Sequence, residues 1–252
     1  EIDRENVAGE VNVIQPYLGF RPFKEQDEAL FFGRERETKH LLYLLVAHPC
    51  VLLYAPSGAG KSSLVNAGLI PKLRKEGFEV LPPVRMRRLG LGTPQLSDIS
   101  NPYVFSALLE WLDESSEPSD IVDVTLTDYL DRRPKVMSDD DSEMSRVLIF
   151  DQFEEFFAAY QERWMDRQDF FEQLCRDVDH VPNTRVLIVI REDYLAQLDP
   201  YVIHLPEYLQ TRYRLERLDR HAALEAINGP VRKAGMNRVF GENNWDDLRF
   251  ES

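Results

Sequence analysis

The sequence predicts an α/β domain built on a mainly parallel β-sheet. Two observations carry that expectation. The runs CVLLYA (50–55), RVLIFD (146–151) and RVLIVIR (185–191) are apolar almost throughout, as strands buried on both faces are. Helical patterns separate them along the chain, and no internal repeat competes with this reading.

Each element follows from its own residues. Residues 1–16 are polar and read as an extended lead-in. The stretch YLGFRPFKEQDEALFFGRERE (17–37) is dense in aromatics and turn formers, and RERETKHLLYLLVA (34–47) has the spacing of an amphipathic helix. The strand at 50–55 runs into a Gly-rich turn, after which a helix is expected from Lys61 to Leu73, with Pro71 loosening its end and Gly77 stopping it. A second strand falls on FEVLPPVRM (78–86), weakened by its two prolines, and a helix on NPYVFSALLEWL (101–112). The acidic segments DESSEPSD (113–120) and SDDDSE (138–143) read as solvated loops around a short helical piece. One long helical stretch spans 153–180, a fifth short strand covers YRLERL (213–218), and Asp219 caps a helix over 220–235. The expected organisation is a lead-in (1–16), one α/β domain (17–218) and a helical segment that begins a further unit (219–252).

Composition narrows the function classes. With 252 residues there is room for one large domain, or a large one with a small one. The net charge of −14 argues against a broad nucleic-acid surface. Cys50 and Cys175 form no motif and are expected to be buried thiols, which fits a cytoplasmic setting. The longest apolar runs fall well short of the roughly 20 residues a membrane span needs, and no signal peptide is evident. The chain opens on Glu1 and closes on DDLRFES without a clear cap, as an excerpt from something longer would. The five histidines show no metal-ligand spacing.

The chemistry concentrates at APSGAGKSS (55–63). It matches G-x-x-x-x-G-K-[ST] except that Ala55 stands in the first position, at the end of a strand where backbone demands are least strict. In such a loop Gly58 and Gly60 bring main-chain N–H groups against phosphate oxygens, and Pro56, Ser57, Ala59 and Ser63 complete the turn around them. Lys61 would neutralise the terminal phosphates and the Ser62 hydroxyl would ligate Mg²⁺. A helix N-terminus adds its partial positive charge.

The matching carboxylate is Asp151, at the end of VLIFD, which would hold the magnesium water shell. Glu154 or Glu155 could polarise an attacking water, and Gln152 could instead orient it; Glu154 ranks first. Arg191 ends the strand VLIVI. If that strand lies between the loop strand and the Asp151 strand, its arginine would meet the γ-phosphate and distinguish ATP from ADP.

Together YLGFRPFKEQDEALFFGRERE, YAPSGAGKSSLVNAGLIPKL, VLIFDQFEEFF, RVLIVIREDYL and LDRHAALEAINGPVRKAG resemble the STAND class of signal-transduction P-loop ATPases, most closely its bacterial novel STAND family. The resemblance implies a nucleotide-binding domain over 17–218, a three-layer P-loop sandwich with strand order 2-3-4-1-5, followed by the start of a helical lid subdomain over 219–252. It implies bound ATP or ADP with Mg²⁺, slow hydrolysis, and a switch coupled to homo-oligomerisation, in bacterial signalling or defence against phage. Effector and sensor domains in the same full-length chain would be the partners. On the same basis Phe31, Phe32, Gly33 and Arg34 would line or support the adenine, and Gly229 and Pro230 would belong to a lid closing over it. RLERLDR lacks the proline that often precedes that lid helix, and 87–145 matches only loosely.

Two other functions fit the residues. A nucleotide-loaded scaffold would bind without turnover, and a small-molecule kinase could use RMRR (85–88) to hold a phosphorylated acceptor.

Overall fold

The computed structural model describes residues 17–19, 21–90, 93–138, 141, 143–180 and 184–233. The lead-in 1–16, part of the acidic loop at 138–143, and 234–252 of the expected lid lie outside the described residues. A 3-10 turn, Glu25–Leu30, precedes α1 (Glu35–Ala47), whose buried stripe Thr38, Leu41, Leu42 and Leu45 has the helical spacing read from the sequence. β1 (Cys50–Ala55) leads through the Gly-rich turn into α2 (Lys61–Ser63), a π-helical turn over Leu64–Leu69, and α3 (Ile70–Lys75). Pro71 therefore sits inside a helical run rather than loosening its end. Proline offers no N–H and its ring crowds the carbonyl four residues back, and the wider π turn accommodates both.

β2 is only Glu79–Val80, because Pro82 and Pro83 cannot donate to a ladder, and the chain rejoins the sheet at a single bridge from Val84 to Phe150. α4 (Pro102–Trp111) is capped by the Asn101 side chain, and α5 (Leu126–Arg132) by Thr125. After β3 (Arg146–Phe150) the expected single helix breaks into α6 (Glu154–Ala158), a 3-10 turn at Gln161–Arg163 and α7 (Asp166–His180). The break is Tyr160, at φ 44°, whose hydroxyl donates to Arg87 O at 2.7 Å. β4 (Thr184–Arg191) is followed by α8 (Leu195–Leu198), two 3-10 turns and β5 (Arg212–Arg214). β5 is shorter than the expected 213–218 because the chain leaves the sheet after Leu215, whose N–H still bonds Tyr54 O. α9 (Arg220–Lys233) begins beyond Asp219, which accepts from Ala222 N as an N-cap should.

The five strands are parallel in the order β2-β3-β4-β1-β5, the order the family resemblance implies. Strand residues alternate between two buried faces. Val51, Leu53, Ile149, Leu187 and Val189 pack toward α1 and the α2–α3 run. Leu52, Leu148, Phe150, Ile188 and Ile190 pack toward α4, α5 and α7. Both faces being covered explains why β1, β3 and β4 read as continuous apolar runs. Cys50 is buried in this core as expected, whereas Cys175 on α7 is only partly buried.

On the second face the Phe156 ring centroid lies 4.5 Å from that of Tyr103, 4.7 Å from Phe153 and 5.2 Å from Phe170. This packing clamps α6, the element that follows Asp151. Phe156→Ala is expected to cost about 3–5 kcal/mol of unfolding free energy in urea titration. A loss under about 1 kcal/mol would show that the cluster refills the space and does not anchor α6.

Candidate functional site

The site forms at the C-terminal edge of the sheet, where β4 lies between β3 and β1 and ligands of open α/β sheets bind. Gly58 and Gly60 take φ of 77° and 91°, left-handed values that side chains resist, and a Cβ at either would meet nothing within 4 Å. The turn is therefore shaped by backbone need, with an open concave side. Lys61 follows at the first helical position, 9% exposed, and its Nζ donates to Ala55 O at 3.2 Å and Pro56 O at 3.4 Å. Burial pushes its pKa below the ordinary 10.5; Glu154 and Asp151 pull it back up and Arg191 lowers it further.

Asp151, one residue past β3, accepts from Ser62 Oγ at 3.1 Å through Oδ1, which also takes the Gln152 N–H at 3.0 Å. Gln152 is held at φ 56°, a left-handed conformation at the turn beside the carboxylate. Arg85 donates to Asp151 Oδ2 at 3.2 Å. Arg191 is in register with Ala55 across β4 and β1, so it stands beside the loop strand as the expected strand order requires. Its guanidinium is engaged by both oxygens of Asp193, at 3.1 and 2.6 Å, and its N–H donates to Glu154 Oε2 at 3.2 Å.

A cleft of about 310 Å³ gathers Ser57, Gly58, Gly60, Lys61, Ser62, Ser63, Glu154 and Arg191, with Gln152, Arg21 and Pro22. That volume lies at the small end of ligand sites, about 300–1,000 Å³, and suits a phosphate tail better than a whole nucleotide. Glu155 is outside this wall. Its carboxyl is pushed up chiefly by burial, against the lowering pull of Arg87 and Arg85.

The remaining candidates surround the loop. Arg34 is 5% exposed and donates to Ala59 O at 3.1 Å and Glu216 O at 2.8 Å, so it braces the loop from behind. At Gly33 (φ 81°) a Cβ would lie 2.2 Å from Ala222 O, which gives α9 its close seat on the FFGR segment. Phe32 packs on Gly229, next to the buried Pro230, and lines a second hollow of about 350 Å³ with Glu225, Arg232 and Lys233. Among the described residues none lines both hollows. Phe31 sits edge-on to Phe23 with ring centroids 5.3 Å apart.

Sequence reasoning missed Arg21 and the role of Arg85. Arg21 is fixed in the cleft by a two-pronged bond to buried Asp27, at 2.7 and 3.0 Å, and the Phe23 N–H reaches Ser63 Oγ at 3.3 Å. The spacing of Arg21 and Asp27 was the only local signal. The basic run at 85–88 is not one patch: Arg85 pairs with Asp151, Arg88 with Glu162, and Met86 is buried.

The donor set fits a phosphate-bound divalent cation. A hydroxyl and a carboxylate converge at the mouth of the loop, leaving the rest of the shell to phosphate and water, as Mg²⁺ prefers. Among the described residues no group of three or more His, Cys, Asp or Glu could hold a metal unaided, and no helix is long and apolar enough to cross a membrane.

A family model described as Novel STAND NTPase 1 matches residues 16–241. A Walker-type ATPase of Pyrococcus abyssi shares the fold with a TM-score of 0.55 at 14% identity. The match covers 86% of this chain and 62% of that one. A search of curated proteins finds no match.

Because burial has lowered the Lys61 pKa and a phosphate would raise it, binding of ADP on the alkaline side should take up protons. As pH rises, affinity should then begin to fall before pH 10.5 is reached, because the free ammonium deprotonates early. Calorimetry in buffers of different ionisation enthalpy reads this directly, and proton release on binding would contradict it.

Proposed function

The chain belongs to the novel STAND NTPase family, and on that premise we propose that it is a magnesium-dependent ATP switch that hydrolyses slowly. The observation that carries this reading is the contact of Ser62 with Asp151 at the mouth of the glycine turn, beside Lys61. Main-chain N–H groups of the turn would bind the phosphates, with Lys61 leaving the Ala55 and Pro56 carbonyls to neutralise them. Ser62 and Asp151 would hold Mg²⁺, which when bound withdraws charge from the phosphate oxygens.

Glu154 lines the cleft and is steadied by the Arg191 N–H, which favours it over Glu155 as the group that takes a proton from the attacking water. Arg191 would leave Asp193 for the γ-phosphate, which makes it responsive to ATP against ADP. The FFGR segment and α9 would carry that response, since Gly33 and Phe32 seat α9 while Arg34 braces the loop. On this proposal α9 would open a lid subdomain that begins at residue 219, while a cytoplasmic, ATP-driven homo-oligomer in signalling or defence is proposed from the family alone. Residues 17–218 would form the nucleotide-binding domain. The kinase alternative is disfavoured because Arg85 and Arg88 pair with two different acids, Asp151 and Glu162, rather than forming one acceptor patch.

Glu154→Gln should lower phosphate release by about 10²–10⁴-fold with nucleotide affinity little changed. Unaltered turnover would remove Glu154 from the reaction, and no turnover by the parent chain, even as an oligomer, would favour the scaffold. Asp151→Asn should reduce Mg²⁺-dependent hydrolysis more than affinity, whereas equal losses would mark Asp151 as structural. Arg191→Ala should shrink the ratio of ATP to ADP affinity in fluorescent-nucleotide titrations, and an unmoved ratio would end its sensing role.

A further inference from the structure

Asp151 is 2% exposed, and a carboxylate at that depth needs compensation. Ser62 and the Gln152 N–H serve Oδ1, and the cation on Oδ2 is Arg85. Lys61 does not bond Asp151, since its ammonium turns to the Ala55 and Pro56 carbonyls. The main chain puts Arg85 where it is. After the two prolines, Val84 bridges Phe150, Val84 N–H donates to Ile149 O at 2.8 Å, and Asp151 N–H donates to Val84 O at 2.9 Å. Residue 85 is thereby held abreast of residue 151.

The guanidinium remains able to move, because the Arg85 side chain is 28% exposed. It also has a second acidic neighbour. Glu155, outside the cleft wall, feels Arg87 and Arg85 as the charges that lower its proton affinity. Asp151 is thus one anion with two cationic suitors, Arg85 from within the chain and the metal proposed above. Arg85 reaches the carboxylate through Oδ2 and Ser62 marks the Oδ1 side for the metal, and like charges on one carboxylate repel, so both cannot be held at full strength.

We propose that Arg85 and the divalent cation compete for Asp151: the guanidinium neutralises the carboxylate in the metal-free protein and loosens its hold when the metal arrives. Arg85 is a positioning residue on this account. It sets the metal concentration at which the cleft becomes competent and keeps Asp151 aligned with Ser62 until then. The inference rests on the reading of the cleft as a metal–nucleotide site.

The test titrates Mg²⁺ into the ADP-saturated full chain and reads both fluorescent-nucleotide affinity and melting temperature. In Arg85→Gln, half-saturation should fall by about fivefold or more as the competing charge is lost. The metal-free variant should melt below the parent, and added Mg²⁺ should close that gap. Arg85→Lys, which keeps the charge, should stay nearer the parent. Unchanged or raised half-saturation in Arg85→Gln, with nucleotide still bound, overturns the inference and leaves the cleft reading intact. If instead the parent binds ADP identically with and without Mg²⁺ and Lys61→Ala binds as tightly, the cleft reading itself fails. A measurement independent of any variant's folding is the Arg85 Nε–H resonance of the parent in NMR. It should shift on adding Mg²⁺ with ADP, and an unmoved signal would overturn the competition.

Discussion

The contact between the Ser62 hydroxyl and the Asp151 carboxylate joins residues 89 positions apart, and the rest of the molecule is arranged around it. Asp151 is not on the strand beside the glycine turn. β4 lies between, so the two groups meet only because parallel strands end at the same edge of a twisted sheet. The phenylalanine cluster under α6 and the two-faced apolar packing of β1, β3 and β4 hold that edge in place. Burial is therefore spent on registering two small polar groups, and a divalent cation is the ligand that such a pair would share with phosphate.

Charge in the cleft and just behind its wall is kept in pairs. Arg21 is bound by Asp27, Arg191 by Asp193, and Asp151 by Arg85. Pairing satisfies the buried carboxylates of Asp27 and Asp151, whereas the Arg191–Asp193 pair is exposed, and each pairing leaves a group that an incoming ligand could recruit. A polyphosphate with its metal would exchange these internal partners for external ones. Nucleotide state could then be felt at three places at once: the 17–24 segment through Arg21, the β2 extension through Arg85, and the β4 tip through Arg191. Arg34 adds a fourth route, since one guanidinium holds both the loop at Ala59 and the chain entering α9 at Glu216. Conformational coupling needs groups with two alternative partners, and on the proposed function Arg21, Arg85 and Arg191 would be such groups.

How much of this could be read from the chain depends on where the information lies. β1, β3 and β4 were legible because burial on both faces leaves unbroken apolar runs, and the glycine turn was legible because left-handed backbone demands glycine. β2 and β5 were less so, for their ends are set by Pro82, Pro83 and the departure toward Glu216 rather than by apolar content. The break at Tyr160 escaped notice since a tertiary bond from its hydroxyl to Arg87 holds it, and nothing local announces that. Ser62, Lys61 and Asp151 stood out by motif, while Arg21 and Arg85 did not: an arginine acquires a role only from the carboxylate it reaches in space. Phe32 shows the converse, a motif residue that packs on Gly229 and lines a hollow separate from the phosphate cleft.

The central claim is that Ser62 and Asp151 jointly hold a metal that also touches phosphate. Electron paramagnetic resonance of the ATP complex with Mn²⁺ in place of Mg²⁺ tests it most directly. The account predicts a protein-bound manganese signal with phosphorus couplings from the nucleotide, which reverts to that of free manganese–ATP when Ser62 is replaced by Ala. A signal indifferent to Ser62, or one already identical to the free complex in the parent chain, would contradict it.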